Sequence, residues 1–209
     1  PFGYASLILV AAVILSLTYG YFIGRWKLKI KYVEYVNSEL PAAFNGFRIV
    51  HISDLHLSTF NRHPEKLREI VDSINALQAD MVCFTGDLVS HGRPEAHTHA
   101  STLRYIKAKY GVVSVLGNHD FLIYDSSLET DDQRNKAVDE LTEYERNELG
   151  WTLLRDSNMV IKAQDNSTIT IAGVDNKNCI TQGFRTINAG DLPKALQGTS
   201  GFTILLTHD

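Results

Sequence analysis

The sequence predicts an α/β domain carried behind one hydrophobic helix, and three observations predict it. Residues 1–24 carry no charged side chain and hold a mainly apolar run from Ala5 to Ile23. After Asn45-Gly46, short apolar runs alternate with stretches whose apolar residues recur every three or four positions, the pattern of strands alternating with helices. Four of the apolar runs end in clusters of Asp, His and Asn. The 209 residues suffice for one domain with a real core and an appendage. With 44% apolar residues and a formal charge of −4, the composition is that of a globular chain. It lacks the basic excess of a generic nucleic-acid binder, so no nucleic-acid partner is indicated.

A bilayer core takes about 20 mainly apolar residues as a helix, and residues 1–24 fit that length. Tyr19, Tyr21 and Trp26 stand at the end of the run as an interfacial aromatic belt. The rival readings are a buried helix and a signal peptide; the basic leader and small-residue cleavage site of the latter are not visible. Arg25, Lys27, Lys29 and Lys31 favour a cytoplasmic flank. However, Trp26 to Val36 alternates polar and apolar with period two, as a half-exposed strand does, so these lysines also read as a solvent face. The side of the membrane stays open. The domain division is 1–24 as membrane helix, 25–44 as strand-like connector and 45–209 as the α/β domain.

Within that domain, Phe47 to Ile52 reads as a buried strand. Pro64 to about Leu77 reads as a helix, with Leu67, Ile70, Val71, Ile74 and Leu77 at helical spacing. Met81 to Thr85 is a second strand, Ala96 to Lys109 a second helix, and Val112 to Leu116 a third strand. Asp131 to Leu149 is a charged, periodic helix. Met159 to Lys162 and Thr168 to Ala172 form a strand pair with a turn at Asp165-Asn166, and Phe202 to Leu206 is a last strand.

The chemistry sits where the strands end: Asp54-Leu55-His56, Gly86-Asp87, Gly117-Asn118-His119-Asp120 and Thr207-His208-Asp209. In α/β sheets, ligands gather at the carboxyl ends of strands, so these clusters would converge if their strands are neighbours in one sheet. Asp54 and His56 project to one side of an extended chain. A carboxylate with an imidazole suits Zn, Mn or Fe. Gly86 and Gly117 let the backbone turn sharply beside the site. Asp87 can bridge two ions with its two oxygens, Asn118 offers an amide oxygen, and His208 a further nitrogen. Two metals about 3.5–4 Å apart can hold a hydroxide and clamp a phosphoryl group. Other candidates read as structural. His51 is a packed or supporting residue, His63 a surface residue, and His91, His97 and His99 belong to a solvated loop and helix start. Cys83 lies in an apolar run and reads as core; Cys83 and Cys179 cannot build a disulfide framework or a cysteine zinc site.

Asp54-x-His56, Gly86-Asp87, Gly117-Asn118-His119-Asp120 and His208, in that order over residues 45–209, resemble the calcineurin-like metallophosphoesterases. The hydrophobic leader and Gly150-Trp151-Thr152-Leu153-Leu154-Arg155-Asp156 resemble the bacterial membrane-anchored branch. The resemblance implies a four-layer α/β/β/α sandwich and a site for two divalent ions. Asp54 and His56 would bind the first ion, Asp87 both, and Asn118 and His208 the second. His119 would be the catalytic residue facing the phosphate, and Asp120 would orient it. It further implies hydrolysis of a phosphomonoester, phosphodiester or pyrophosphate bond at the bacterial inner membrane, where the anchor suits a lipid-linked substrate. The alternative is an inactive relative acting as a membrane-bound binding or scaffold module. The family adds a Gly-His-x-His motif downstream of the His208 strand. The chain starts at Pro1 and stops before that motif, so the expectation is a piece of a longer protein, with the sandwich incomplete at its C-terminus. Oligomeric state is not legible.

Overall fold

The computed structural model describes residues 2–176 and 190–208. Cys179 and Asp209 lie outside them. The chain divides into two compact units, Pro1–Val36 and Asn37–Asp209.

In the first unit, α1 spans Phe2–Phe22. At about 1.5 Å per residue its 21 residues match a hydrocarbon core of about 30 Å, and this helix is long and apolar enough to cross a membrane. Its end gathers cations on aromatic rings. The Arg25 guanidinium lies 4.6 Å from the Tyr21 ring and 4.4 Å from the Trp26 ring, and Lys27 Nζ donates to Tyr19 Oη at 2.6 Å. The strand expected from Trp26 to Val36 does not form: residues 27–36 are exposed and belong to neither sheet. Alternation fixes which side chains share a face, but a strand also needs a partner edge.

In the second unit, β1 (Ile49–Ile52), β2 (Met81–Phe84), β3 (Val112–Ser114) and β4 (Thr152–Leu153) form a parallel sheet in that order. The helices α2 (Pro64–Ala76), α3 (Pro94–Leu103) and α4 (Asp131–Glu143) are its crossovers. The second sheet pairs β5 (Ser157–Lys162) antiparallel with β6 (Thr168–Gly173), and β6 parallel with β7 (Thr203–Leu206). A one-turn helix, α5 (Leu192–Ala195), lies against β5, where Asn158 Nδ2 donates to the Ala195 carbonyl.

Local chemistry explains most boundaries. Pro64 stands in the first turn of α2, where its missing N–H costs nothing. Leu67, Val71 and Ile74 bury one face of that helix. Thr130 and Gln133 close a capping box on α4. That helix then widens into a π-turn, Tyr144–Glu148, over its expected last stretch. The helix expected to reach Lys109 stops at Leu103 instead. Asn75 accounts for this: its side chain donates to the Tyr105 carbonyl and accepts from Lys107 N–H, both at 2.7 Å, so the following backbone is held outside a helix.

Period-two alternation divides the parallel sheet between two cores. Met81, Cys83, Val113 and Val115 pack toward Ile161, Ile169, Ile171 and Leu206 of the second sheet. Val82 and Phe84 face the helices, where Phe84 meets Trp151 with ring centroids 5.4 Å apart. A Cβ on Gly173 would strike Leu154 and Val115, so the sheets approach closely at the end that carries the polar clusters. Burial pushes the Cys83 thiol up to about 12, as expected of a core cysteine. β1 is an edge strand with Ile49 and His51 exposed, not the buried strand expected. The described layers are thus helices, parallel sheet and second sheet.

Candidate metal centre

Every predicted ligand lies at the carboxyl end of a strand, but the strands come from two sheets. β1 leads to Asp54 and His56, β2 to Asp87, and β3 to Asn118 and His119. His208 follows β7 of the second sheet, so the sandwich, not one sheet, completes the cluster. Nor does the chain stay extended from Asp54 to His56. Asp54 (φ 54°), His56 (φ 43°) and Asp87 (φ 60°) all take the left-handed conformation, which costs non-glycine residues of order 1–3 kcal/mol each. The two loops hold one another in it: Asp54 N–H donates to the Gly86 carbonyl and His56 N–H to the Asp87 carbonyl, both at 3.0 Å. Gly86 (φ 91°) and Gly117 touch so closely that a Cβ on either would strike the other loop.

Asp120 fixes those loops. It is fully buried and accepts four backbone N–H groups: Asp87 (2.7 Å) and Gly117 (3.0 Å) on Oδ2, Leu88 (2.8 Å) and Val89 (3.1 Å) on Oδ1. Burial pushes its carboxyl up to about 7, against the pull of those amides. The expected orienting contact to His119 is therefore replaced by a loop-building one. His119 is oriented instead by the Ser90 carbonyl, 2.7 Å from its Nδ1. A carbonyl only accepts, so Nδ1 carries the proton and Nε2 is left for the site.

Asp87 is buried in the middle. Its Oδ2 lies 3.5 Å from His56 Nε2, and its Oδ1 lies 3.6 Å from His208 Nε2. Asp54 Oδ1 stands 3.7 Å from His56 Nε2. Two compact groups result, His56–Asp87–His119 and Asp54–Asp87–His208, with the candidate ligand atoms of each within 4.8 Å of one another. These side-chain separations are too long for hydrogen bonds. Two donors each about 2.1 Å from one ion stand about 3.0–3.4 Å apart, so small inward movements would let them share one.

The donor chemistry also suits a cation. His208 Nδ1 lies 2.6 Å from the Thr85 carbonyl and must donate to it. With Nε2 unprotonated, as a metal ligand must be, its lone pair faces two further acceptors, Asn118 Oδ1 at 3.1 Å and Asp87 Oδ1 at 3.6 Å. Three converging acceptors are reconciled by a positive charge among them. The residues present fit a metal.

Outside this cluster, His51 supports it through Thr85, with Nε2 and Oγ1 2.7 Å apart. His63 sits half-exposed at the start of α2 and His91 is exposed, as expected. His99 is not solvated: it is buried on α3, with Nε2 3.1 Å from Asn61 Oδ1, because the stretch read as loop is the start of that helix. The half-buried Glu95 and the fully buried Glu145 are among the carboxylates that escaped the sequence reading. Both stand on helices without a strand-end motif beside them, and only their tertiary partners mark them.

A parallel sheet packed on a second sheet, with Asp, His and Asn side chains gathered at the facing strand ends, suits a metal-assisted hydrolase acting on phosphoryl groups. The calcineurin-like phosphoesterase family profile matches residues 47–208, which include all six predicted site residues, and the chain belongs to that family. It is 29% identical over 143 residues to the uncharacterized metallophosphoesterase YkuE of Bacillus subtilis, covering 66% of this chain and 44% of that protein. It is 32% identical over 196 residues to the zebrafish (Danio rerio) transmembrane protein with metallophosphoesterase domain, covering 86% and 39%. It is 32% identical over 118 residues to the UDP-2,3-diacylglucosamine pyrophosphatase LpxG of Chlamydia muridarum, covering 56% and 35%. The chain spans less than half the length of each of these three relatives.

Proposed function

We propose that this chain belongs to a membrane-anchored, metal-dependent phosphoesterase that hydrolyses a phosphoester or pyrophosphate bond. One observation carries the reading: the buried Asp87 carboxylate turns one oxygen to His56 and the other to His208, as a group shared by two ions would. Asp54 and His56, 3.7 Å apart, serve one ion, and Asn118 and His208, 3.1 Å apart, the other, although Asp54 also lies within reach of His208. Divalent ions, when bound, supply Lewis acidity toward phosphoryl oxygens and acidify water. The chain's own contribution is placement. Asp87 and the left-handed loops hold the ligands in register before substrate arrives. His119, with Nδ1–H fixed on the Ser90 carbonyl, presents Nε2 to hold or deliver a proton at the leaving oxygen. α1 supports anchoring at a membrane, and an anchored site suits a lipid-linked substrate. The likeness to a protein named for cleaving UDP-2,3-diacylglucosamine favours a lipid-linked pyrophosphate.

The full-length protein in detergent or vesicles is to be assayed with Mn²⁺ against a generic phosphodiester and a lipid-linked diphosphate. Hydrolysis that Asp87→Ala abolishes, together with bound metal, is the expected result. Turnover unaffected by Asp87→Ala rejects the bridging role, and absence of hydrolysis and of stoichiometric metal rejects the enzyme.

A further inference from the structure

We infer that Glu95 is a positioning residue that fixes the imidazole of His119 by building the loop whose carbonyl holds it. The inference rests on the catalytic reading of His119 given above. Glu95 lies in the first turn of α3 and spends both carboxylate oxygens on backbone N–H groups. Its Oε2 accepts from Ser58 (3.0 Å) and Ser90 (2.8 Å), and its Oε1 from His91 (2.8 Å) and Gly92 (3.2 Å). Three of these donors form one turn, Ser90-His91-Gly92, and the carbonyl of Ser90 is the acceptor for His119 Nδ1. The fourth, Ser58, lies two residues beyond His56. Ser58 Oγ and Ser90 Oγ also meet at 2.6 Å. Glu95 thus ties the strand-end loop bearing His56 to the loop that orients His119. Their rings stand edge to face with centroids 4.6 Å apart. Burial pushes the Glu95 carboxyl up, but the four amides outweigh it and hold the group below its usual range, so it stays charged at the pH of the reaction.

The demand on this position is for two acceptor oxygens. A glutamine keeps the size but presents an NH₂ where two N–H groups converge. Freed from Glu95, the Ser90 turn no longer places its carbonyl under His119. The imidazole then samples other rotamers and the second ring proton.

The experiment uses the full-length protein with Glu95→Gln, His119→Ala and the double variant. Tyr144→Phe is the control: it cuts the hydrogen bond from Tyr144 Oη to the Ala96 carbonyl, loosening α3 without touching Ser90. Loss of an orienting contact behind a site residue typically costs about 10- to 100-fold in activity. Glu95→Gln is expected to lower kcat by that factor with KM and metal content close to wild type. The double variant should be no slower than His119→Ala alone. The His119 Nδ1 proton, visible by NMR as a slowly exchanging imidazole resonance, should vanish in Glu95→Gln and persist in Tyr144→Phe. Additive losses in the double variant, or an unchanged His119 resonance in Glu95→Gln, overturn the inference. If the protein hydrolyses no phosphoester, the catalytic reading of His119 fails while the NMR comparison still decides whether Glu95 positions it. Glu95→Asp keeps the charge but withdraws it by one methylene, and gives a smaller version of both effects should Glu95→Gln not fold.

Discussion

Replacing Glu145 by glutamine should make the stability of this domain less sensitive to alkaline pH. The π-turn after α4 points Glu145 into the interior, where it is fully buried. Its Oε2 accepts from Ser114 Oγ at 2.7 Å, and its Oε1 has no partner among the described residues. Burial, reinforced by the nearby Asp120 charge, pushes the carboxyl from 4.5 up to about 8. The unfolded chain therefore loses this proton near pH 4.5, while the folded chain keeps it until about pH 8. Between those values the folded state binds the extra proton, so stability falls as pH rises and the full penalty is present above about pH 8. At about 1.4 kcal/mol per pH unit the ceiling is about 5 kcal/mol, and local relaxation reduces it to about 2–4 kcal/mol. Glutamine keeps an oxygen for Ser114 and never ionises. The variant should match wild type within about 1 kcal/mol at pH 5 and exceed it by about 2–4 kcal/mol at pH 9. Urea unfolding followed by the emission of Trp151, which is buried, gives both curves. Groups that do not interact with Glu145 cancel in the difference, and Asp120, which does, adds its repulsion to the same alkaline penalty. A stability difference that stays constant from pH 5 to pH 9 would refute the reasoning, because Glu145 would then titrate alike folded and unfolded.

Other perturbations reach the site and core. Gly117→Ala puts a Cβ onto the Asp87 carboxylate and backbone nitrogen; it should cost about 1–3 kcal/mol and lower metal content by elemental analysis. His119→Ala should reduce turnover about 10²- to 10⁴-fold and leave metal content intact; loss of metal would make His119 a ligand. Ile171→Ala, fully buried between the sheets, should destabilise by about 2–5 kcal/mol in a denaturant titration without altering metal stoichiometry in the folded fraction. Cys83, its thiol pushed up to about 12, should be alkylated only after denaturant is added.

The family resemblance was legible in the sequence, and so was the placing of the six candidate site residues at strand ends, because both depend on local rules. A strand declares itself by an apolar run, and Asp, His or Asn immediately after it stands at a strand end wherever the strand lies in the sheet. For the same reason α2, β2 and β5–β6 appeared close to their expected bounds. What failed was set at a distance. The stretch after α1 alternates as a strand does but joins neither sheet among the described residues, which no local pattern reveals. The second helix stopped early because Asn75, some thirty residues away, captures the backbone at Tyr105 and Lys107.

The same division runs through the site. Sequence by itself determined which atoms are available: two carboxylates, an amide and three imidazoles, at ends of apolar runs. Tertiary structure decided how they face. His208 joins the cluster because one sheet packs on another. Asp54 and His56 converge through left-handed backbone that the neighbouring loop stabilises, not through an extended chain. Asp120 turned out to hold four amides, and the Ser90 carbonyl, with Glu95 beneath it, took the place expected for Asp120 beside His119. Ligand identity follows from residue type, but orientation follows largely from hydrogen bonds between loops some thirty positions apart, such as Asp120 to Asp87 and His119 to Ser90, and a linear pattern does not encode those.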